Sequence, residues 1–225
     1  MTFLELCQRL RLEAGVSGTG PVSVLNQAGS YEKLVKWVQA AYEDIQNEHD
    51  DWFFLQTEFS FSTISGVQNY TKTAVGLDEL RNWKMGQLGD IRIYSSVSDE
   101  TWLEYIPWDE FRANYLIGTS RTSQGRPSVF SIKPDMSMSL WQTPDAVYTV
   151  NGEYFKRAQT LTTNTSEPIF PQQYHMMIVW RALMYYAAKT AADEKYAHGQ
   201  NEYRRLLNSM EQEMLPQIGY GAPLV

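Results

Sequence analysis

The feature that most limits what this chain can fold into is a mostly apolar stretch at Gln172–Lys189, QQYHMMIVWRALMYYAAK. At helical spacing its methionine, aromatic and aliphatic residues leave almost no polar face, and a helix that is apolar all round is buried on several sides. Pro171 stands where the helix would begin, a position at which its missing N–H has no intrahelical partner to lose. The run is interrupted by His175 and Arg181 and is too short to span a bilayer. The stretch therefore predicts a core helix wrapped by the rest of the chain.

Two amphipathic helices are predicted near the start of the chain. In the first, residues 2–14, Thr2 and Glu5 form a T-x-x-E capping box, in which each side chain satisfies the other residue's free backbone N–H. Apolar residues at helical spacing place the second helix at Tyr31–Asn47, with Ser30 as the expected N-cap. The polar positions of this second helix predict a solvated face made of Lys33, Lys36, Glu43, Asp44 and Glu48.

Beyond the core helix, apolar residues continue at spacings of three and four from Ala192 to Met214. Gly199 lies in phase with this stripe, which favours a glycine inside a helix that packs closely on a neighbour. One straight helix from Gln172 to Met214 would be about 64 Å long at ~1.5 Å per residue, which is awkward for a domain of this size. We therefore expect a bend or break near Thr190–Asp193.

The last stretch, Pro216–Val225, has no helical or strand period and no charged side chain. It contains two glycines and two prolines, so we do not expect it to fold by itself. An apolar tail of this kind is either disordered or made to lie on a partner. The apolar side chains available for such a contact are Ile218, Tyr220, Leu224 and Val225.

Near Trp52 the period of the sequence changes from the helical value of about 3.6 to the strand value of about 2. From Leu55 onward apolar and polar residues alternate, which predicts a half-buried strand. Asn151 and Gly152 stand between two alternating runs and predict a hairpin turn. A short helix is predicted at Pro107–Tyr115, with proline at its start. Further strand-like segments lie at Asp90–Ser95, Thr101–Ile106, Ser128–Lys133, Met136–Trp141 and Val147–Ala158.

These patterns predict an α+β protein that is mainly α. The N- and C-terminal helices, within residues 1–52 and 168–215, are expected to meet in one helical bundle. A β-rich insertion with antiparallel strands is predicted between them, at residues 53–167. Residues 216–225 follow as an extended C-terminal tail.

Charge and cysteine content limit the class of protein. The formal net charge of −7 argues against a protein that holds nucleic acid by its phosphates. Basic residues are scattered, and the local pairs Lys156-Arg157 and Arg204-Arg205 are interpreted as salt-bridge or interface residues. The one cysteine, Cys7, allows no disulfide within the chain, and its place on an apolar stripe predicts a small buried side chain. The N-terminal residues lack the apolar core of a signal peptide, so we expect a protein made in a reducing cytoplasm.

The sequence offers no motif typical of catalysis, metal binding or cofactor binding. His49, His175 and His198 stand at no familiar metal-ligand spacing, and His175 is interpreted as a hydrogen-bonded core or interface histidine. Carboxylates occur as adjacent pairs, whose side chains point to different sides of a helix or strand and suit a solvated surface. We therefore predict a protein that is not an enzyme, with no cofactor and no metal. The carboxylate pairs are Asp50-Asp51, Asp78-Glu79, Asp99-Glu100 and Asp109-Glu110.

Six stretches of the chain carry a resemblance to a known family. They are FLELCQRLRLEAGVSGTGPVSVLNQAG, YEKLVKWVQAAYEDIQ, DDWFFLQTEFSFST, YIPWDEFRANY, GRPSVFSI and PQQYHMMIVWRALMYYAA. In their order and spacing they resemble phage head-to-tail adaptor (connector) proteins, and the nearest type is the adaptor of SU10-like podoviruses. The segment Ala188–Ala192 departs from the pattern, which has a clearer turn between the last two helices.

The resemblance implies a structural virion protein of the neck between head and tail, present in the host cytoplasm during assembly. Copies would form a ring beneath the portal protein after DNA packaging, with twelve copies to match the portal. Such a ring extends the DNA channel, through which double-stranded DNA passes without specific binding, and offers a docking surface to the tail or a nozzle-like protein. No membrane contact is implied. On this basis we expect the portal or a neighbouring subunit to contact Ile218, Tyr220, Leu224 and Val225.

The resemblance also suggests the loops of the β region as contacts for the next tail component. Three other functions remain open at this point. One is a tail-completion protein that binds a tail tube instead of a nozzle. Another is a tail-associated cell-wall hydrolase, which would need two convergent carboxylates in a cleft. The third is a non-viral helical scaffold, in which the β insertion would have no obvious purpose.

Overall fold

The computed structural model describes residues 1–85 and 91–216. In this part of the chain, no helix combines the length and the apolar character needed to span a bilayer. The α-helices are α1 (Phe3–Ala14), α2 (Gly29–Asn47), α3 (Trp108–Tyr115), α4 (His175–Thr190) and α5 (Asp193–Met214). The strands are β1 (Gln56–Ser62), β2 (Asn69–Tyr70), β3 (Leu80–Trp83), β4 (Arg92–Tyr94), β5 (Thr101–Trp102), β6 (Glu104–Tyr105), β7 (Gln124–Gly125), β8 (Val129–Ile132), β9 (Met138–Trp141), β10 (Thr143–Pro144) and β11 (Thr149–Lys156).

The predicted fold class is confirmed. The protein is α+β, with more helix (43%) than strand (19%), and its N- and C-terminal helices pack together. The chain divides into two compact units, of which one combines Met1–Phe54 with the chain from Ala158 onward and the other is Leu55–Arg157. The first, the helical unit, contains α1, α2, α4 and α5. The second, the β unit, contains α3 and the strands.

Helix α4 lies at the centre of the helical unit, in contact with α1, α2 and α5. The chain enters it from Pro171 through a 3-10 turn at Gln172–Tyr174, so the α-helix begins slightly later than predicted. Because three other helices surround it, few of its positions can be polar. The prediction of a core helix is therefore confirmed, and its buried side chains are His175, Met177, Ile178, Val179, Ala182, Leu183, Met184 and Ala187.

Helix α1 has the predicted N-terminal cap. The N–H of Glu5 donates to Thr2 Oγ1 at 3.4 Å, and the N–H of Thr2 donates to Glu5 Oε2 at 2.8 Å. Gly15 ends the helix in the left-handed conformation, with φ 68°. Cys7 is fully buried on α1, as predicted, and burial raises the pKa of its thiol to about 12.

The predicted N-cap of α2 is wrong. The helix begins at Gly29, and the residue in the cap position, Ala28, makes no side-chain cap hydrogen bond. Gly29 has φ 65°, a conformation that glycine adopts without strain and that turns the incoming loop into the helix. Ser30 therefore lies inside the first turn, where its hydroxyl is past the capping position.

Two members of the predicted solvated face of α2, Asp44 and Glu48, are tied to other helices. The carboxylate of Asp44 accepts a hydrogen bond from Arg181 Nη2 at 2.9 Å and another from the hydroxyl of Tyr185. Both partners belong to α4, which the periodicity of α2 alone cannot reveal. Glu48 accepts a hydrogen bond from the hydroxyl of Tyr203 in α5 at 3.2 Å. The rest of this face consists of the exposed Lys33 and Lys36 and the half-buried Glu43.

The predicted break after the core helix is confirmed, because Ala191 and Ala192 separate α4 from α5. Gly199 lies inside α5, also as predicted. A Cβ atom at Gly199 would lie 3.1 Å from the carbonyl oxygen of Trp180 in α4. The absence of a side chain at this position lets the two helices approach each other closely.

The β unit contains two main sheets that share one core. The strand order in the first is β1–β11–β4–β5, with β3 also paired to β11, and the order in the second is β2–β9–β8–β6. Most pairs are antiparallel, as predicted, whereas β6 with β8 and β7 with β10 are parallel. The shared core includes Phe59, Trp83, Ile93 and Val150 from the first sheet and Tyr70, Phe130, Met138 and Leu140 from the second.

The strand-like segments of the sequence correspond to strands β4, β5, β6, β8, β9 and β11, although Asp90 lies outside the described residues. The alternation from Leu55 onward is strand β1, in which Phe59 is buried and Glu58 and Ser60 are exposed. The short helix predicted after Pro107 is α3. Four short strands, β2, β3, β7 and β10, have no clear signal in the sequence.

The hairpin predicted at Asn151 and Gly152 is wrong. These residues lie in the middle of β11, which is one continuous strand of eight residues. Gly152 is opposite Phe59 of β1, and Asn151 is opposite Ser60 on one side and Arg92 of β4 on the other. Hydrogen bonds on both sides of β11 outweigh the local preference of Asn-Gly for a turn.

Candidate interaction site

Exposed apolar side chains mark candidate contact surfaces in each unit. In the helical unit they include Leu12, Val22 and Leu25, of which Val22 is 81% exposed. In the β unit Trp102 is 60% exposed, and Val97 is 88% exposed. Tryptophan is enriched among the residues that anchor protein interfaces, so its exposure here favours a binding surface over a purely solvated one.

The helical unit contains an apolar pocket of about 260 Å³. Trp37 of α2 and Tyr186 of α4 meet edge-on in its wall, with ring centroids 6.0 Å apart. Lys33 and Lys189 also line the pocket, and Lys195 Nζ lies 5.6 Å from the centroid of the Tyr186 ring. The pocket can therefore accept an apolar side chain that is next to an acidic group.

A second pocket, of about 170 Å³, lies on the first sheet of the β unit. Its polar side chains include Glu58, Arg92 and Glu153, which alternate with core residues along their strands and so point away from the core. The guanidinium of Arg92 lies 5.4 Å from the centroid of the Trp102 ring. A hydrogen bond from Lys84, 2.5 Å away, lowers the pKa of Glu153 below its usual value. This carboxylate is therefore an ion-pair partner and a poor proton donor, and the pocket suits contact rather than acid–base chemistry.

Both members of one adjacent carboxylate pair, Asp99-Glu100, are ion-pair partners within the β unit. Asp99 accepts hydrogen bonds from the hydroxyl of Ser95, from the N–H of Ser96 and from Arg126 Nη1. These bonds, that of Ser95 first, lower the pKa of Asp99 well below its usual range. Across residues 1–85 and 91–216, no three His, Cys, Asp or Glu side chains lie close enough together to hold a metal ion.

Each histidine has a structural contact. His175 Nε2 donates to the carbonyl of Phe170 at 3.0 Å, and burial lowers the pKa of this imidazole. The prediction of a hydrogen-bonded core histidine is therefore confirmed. His49 Nε2 lies 2.8 Å from Glu211 Oε1, and His198 packs edge-on against Trp180.

The basic pairs also make structural contacts. Arg205 forms an ion pair with Glu202 one turn away on α5, at 2.8 Å. Arg157 donates a hydrogen bond from Nη2 to the carbonyl oxygen of Asp78. The prediction of a salt-bridge role is thus confirmed for Arg205.

The predicted interface residues Ile218, Tyr220, Leu224 and Val225 lie outside the described residues. Their contact with the portal or a neighbouring subunit therefore stays a prediction. The sequence patterns do not predict the two pockets. Lys33 and Lys189, for example, are far apart in the sequence, and Lys33 alone reads as part of a solvated face.

The described residues form a helical bundle and a two-sheet β unit, both with exposed apolar side chains. A model of the SU10 adaptor protein family matches residues 1–222 of the chain. The chain belongs to the SU10 adaptor protein family. The resemblance seen in the sequence is therefore confirmed. A search of curated proteins finds no match.

As an SU10 adaptor, the protein has the role of a phage adaptor with partners in the virion. The family is one of structural adaptors and not of enzymes, which agrees with the prediction that the chain is not an enzyme. This excludes the alternative of a tail-associated cell-wall hydrolase. For the SU10 adaptor, the residues to consider are therefore those that can contact another protein.

Proposed function

We propose that copies of this SU10 adaptor form a ring beneath the portal protein after DNA packaging. The ring extends the DNA channel and gives the tail, or a nozzle-like protein, its docking surface. The observation that carries the proposal is the family match, which covers residues 1–222. Twelve copies would match the symmetry of the portal, since closed rings that stack on one another are simplest when their symmetries agree.

The proposal divides the work among three parts of the chain. The helical bundle, residues 1–52 and 168–215, is the body of the ring. The β-rich insertion, residues 53–167, contacts the next tail component through its loops, and the tail, residues 216–225, contacts the portal or a neighbouring subunit. An uncharged, apolar segment suits such a contact because it can bury its side chains without leaving a charge unpaired.

Sedimentation of the purified protein, alone and with its cognate portal ring, tests the ring itself. We expect a slow monomer that becomes a symmetric ring only on the portal. Stable rings without portal, or binding to a tail tube in place of the portal, would instead support a tail-completion protein.

The role of the tail can be tested by deletion of residues 216–225. The truncated protein should keep its fold, measured by circular dichroism, and fail to form a ring on the portal. Replacing Ile218, Tyr220, Leu224 and Val225 by serine keeps the length of the tail and should have the same effect, whereas Gln217→Ala serves as the control. Full assembly of the serine variant would refute the tail contact.

We also propose that acidic side chains along the channel repel DNA phosphates and let the DNA slide. The net charge of −7 supports this, because a surface that attracted phosphates would slow the passage of DNA. Neutralising the Asp and Glu residues that line the channel of the assembled ring should slow DNA ejection. Neutralising a pair away from the channel provides the control, and equal ejection rates for the two variants would contradict the mechanism.

A further inference from the structure

Strand β1 lies at the edge of its sheet and is long for an edge strand. It runs over seven residues, Gln56–Ser62, and pairs with β11 on one side. In the described part of the chain, no strand pairs with its other side. Of the other strands of the two main sheets that pair on one side only, β5, β2 and β6 have two residues each and β3 has four. Short edge strands limit pairing with other chains, and β1 lacks this protection.

The hydrogen-bond pattern shows which backbone groups of β1 point outward. The N–H of Thr63, just after β1, donates to the carbonyl of Tyr148 at 2.8 Å. In an antiparallel pair the backbone N–H and C=O groups of every second residue point toward the partner strand. The backbone groups of the odd-numbered residues of β1 therefore point toward β11, like those of Thr63. The backbone groups that point away from β11 therefore belong to Gln56, Glu58, Ser60 and Ser62.

The bonding of β11 supports this assignment. Glu153, which is opposite Glu58, is bonded on the other side of β11, where its carbonyl accepts from the N–H of Lys84 at 3.2 Å. The backbone groups of Glu153 thus point away from β1, and those of Glu58 point outward from the sheet. The outward groups of β1 have no backbone partner among residues 1–85 and 91–216.

The edge also lacks three other features that limit pairing, which are proline, lysine and a β-bulge. The sequence of β1, QTEFSFS, has no proline and no lysine, and its register with β11 is regular along all seven residues. Its one charge is Glu58. Phe61, whose ring lies 5.1 Å from that of Tyr70, is half-buried, so the edge has an apolar flank that an added strand could cover.

We propose that an extended segment of the next tail component pairs with the outward edge of β1 and adds a strand to the sheet. Main-chain hydrogen bonds would provide the affinity, and alternate side chains the specificity. The segment alternates apolar residues, which cover Phe61, with polar ones, and it has a lysine or arginine beside Glu58. The choice of a tail component as partner rests on the adaptor function proposed above. The unpaired edge of β1 is a feature of the structure and does not depend on that function.

Charge favours a basic segment. Glu58 is directly opposite Glu153, whose carboxylate is already paired with Lys84. Arg92, which lines the same pocket, is paired with Glu100. Like charges directly opposite in a sheet are unfavourable, and a cation from an added strand would relieve the repulsion. A second copy that used the same edge would instead form a closed two-fold dimer, which cannot extend into a ring.

Hydrogen–deuterium exchange of the free chain and of intact virions tests the proposal directly. In the free chain the amides of Glu58, Ser60 and Ser62 should exchange rapidly, while those of Phe59 and Phe61 are protected by β11. In virions the three outward amides should exchange at least about a hundredfold more slowly. Rapid exchange in virions would overturn the proposal. Absence of the chain from virions would overturn the adaptor function as well, so the two failures are distinguishable.

A pair of variants at Ser60 isolates the outward N–H. Ser60→Pro removes it without removing a hydrogen bond to β11, and Ser60→Thr keeps it. Particles with Ser60→Pro should bind the portal normally but bind the purified tail component at least about tenfold more weakly than those with Ser60→Thr. Equal binding by the two variants would refute strand addition.

A charge variant keeps the test decisive if Ser60→Pro proves unfolded by circular dichroism. Glu58→Lys preserves every backbone group and should weaken binding of the tail component by at least about tenfold, through repulsion of the basic segment. Unchanged or tighter binding would refute a basic partner. If the isolated chain forms a dimer and Ser60→Pro abolishes that dimer, the edge of β1 binds a second copy. That result would overturn the proposal that a tail component binds there.

Discussion

Replacement of Ala191 by glycine should stabilise the helical unit. Ala191 ends α4 with φ 51° and ψ 41°, the left-handed conformation, and its N–H donates to the carbonyl of Ala187. This conformation costs an L-residue roughly 1–2 kcal/mol, because Cβ comes too close to the following carbonyl oxygen. Glycine avoids that cost and keeps the N–H, so the hydrogen bond that ends the helix is preserved.

The expected magnitude follows from two opposing effects. Glycine relieves roughly 1–2 kcal/mol of strain in the folded state, but it increases the conformational freedom of the unfolded chain by about 0.4–1 kcal/mol. The net gain for Ala191→Gly is therefore about 0.8 kcal/mol. For a chain of this size, such a gain should raise Tm by about 2–3 °C. The assay is urea and thermal unfolding of the full chain, followed by the helical circular dichroism signal.

Two other alanines provide matched controls. Ala188 in α4 and Ala197 in α5 are exposed and lie inside helices, where a change to glycine should cost about 1 kcal/mol. The same chemical change should thus stabilise at Ala191 and destabilise at the two controls. Destabilisation of similar size at all three positions would refute the inference that Ala191 is strained in solution.

Three further results are expected. Burial lowers the pKa of His175 below its usual 6.5. Near and below pH 6.5 the unfolded chain therefore binds more protons than the folded chain. The free energy of unfolding should stay constant above pH 7 and fall as the pH drops through 6, and this pH dependence should be weaker in His175→Gln. Cys7→Ser should destabilise by about 1–3 kcal/mol more than Cys7→Ala in urea unfolding, because it buries a hydroxyl among apolar side chains. Arg126 donates to Asp99 Oδ2, to the carbonyl of Ile93 and to Thr101 Oγ1. Arg126→Lys should therefore lower the free energy of unfolding by about 1–2 kcal/mol, because an ammonium cannot make these bonds together. An unchanged free energy of unfolding of the full chain would contradict this role.

The adaptor role was predictable from the sequence, whereas the contact surfaces were not. The family resemblance extends along nearly the whole chain and needs no knowledge of tertiary contacts. The helical pocket requires Lys33 and Tyr186 to lie together, and these residues are on different helices, so no local pattern relates them. The free edge of β1 likewise depends on which strands pair with it and which do not.

The sequence by itself determined the features that depend on neighbours along the chain. The capping box of Thr2 and Glu5, the burial of Cys7 and the core helix α4 all follow from residue spacing within one element. Gly199 belongs here too, because its phase within an apolar stripe predicts close helix packing even when the partner helix is unknown. Local spacing suffices where a feature depends only on the residues of one element.

Tertiary structure decided what depends on residues that are distant in sequence. Asn151 and Gly152 favour a turn locally, but β11 has strands on both sides and stays extended. Asp44 looks solvated on α2, yet Arg181, 137 positions further along the chain, donates to it from α4. In both cases the deciding hydrogen bonds come from another element, and their free energy exceeds the small preferences of a few consecutive residues.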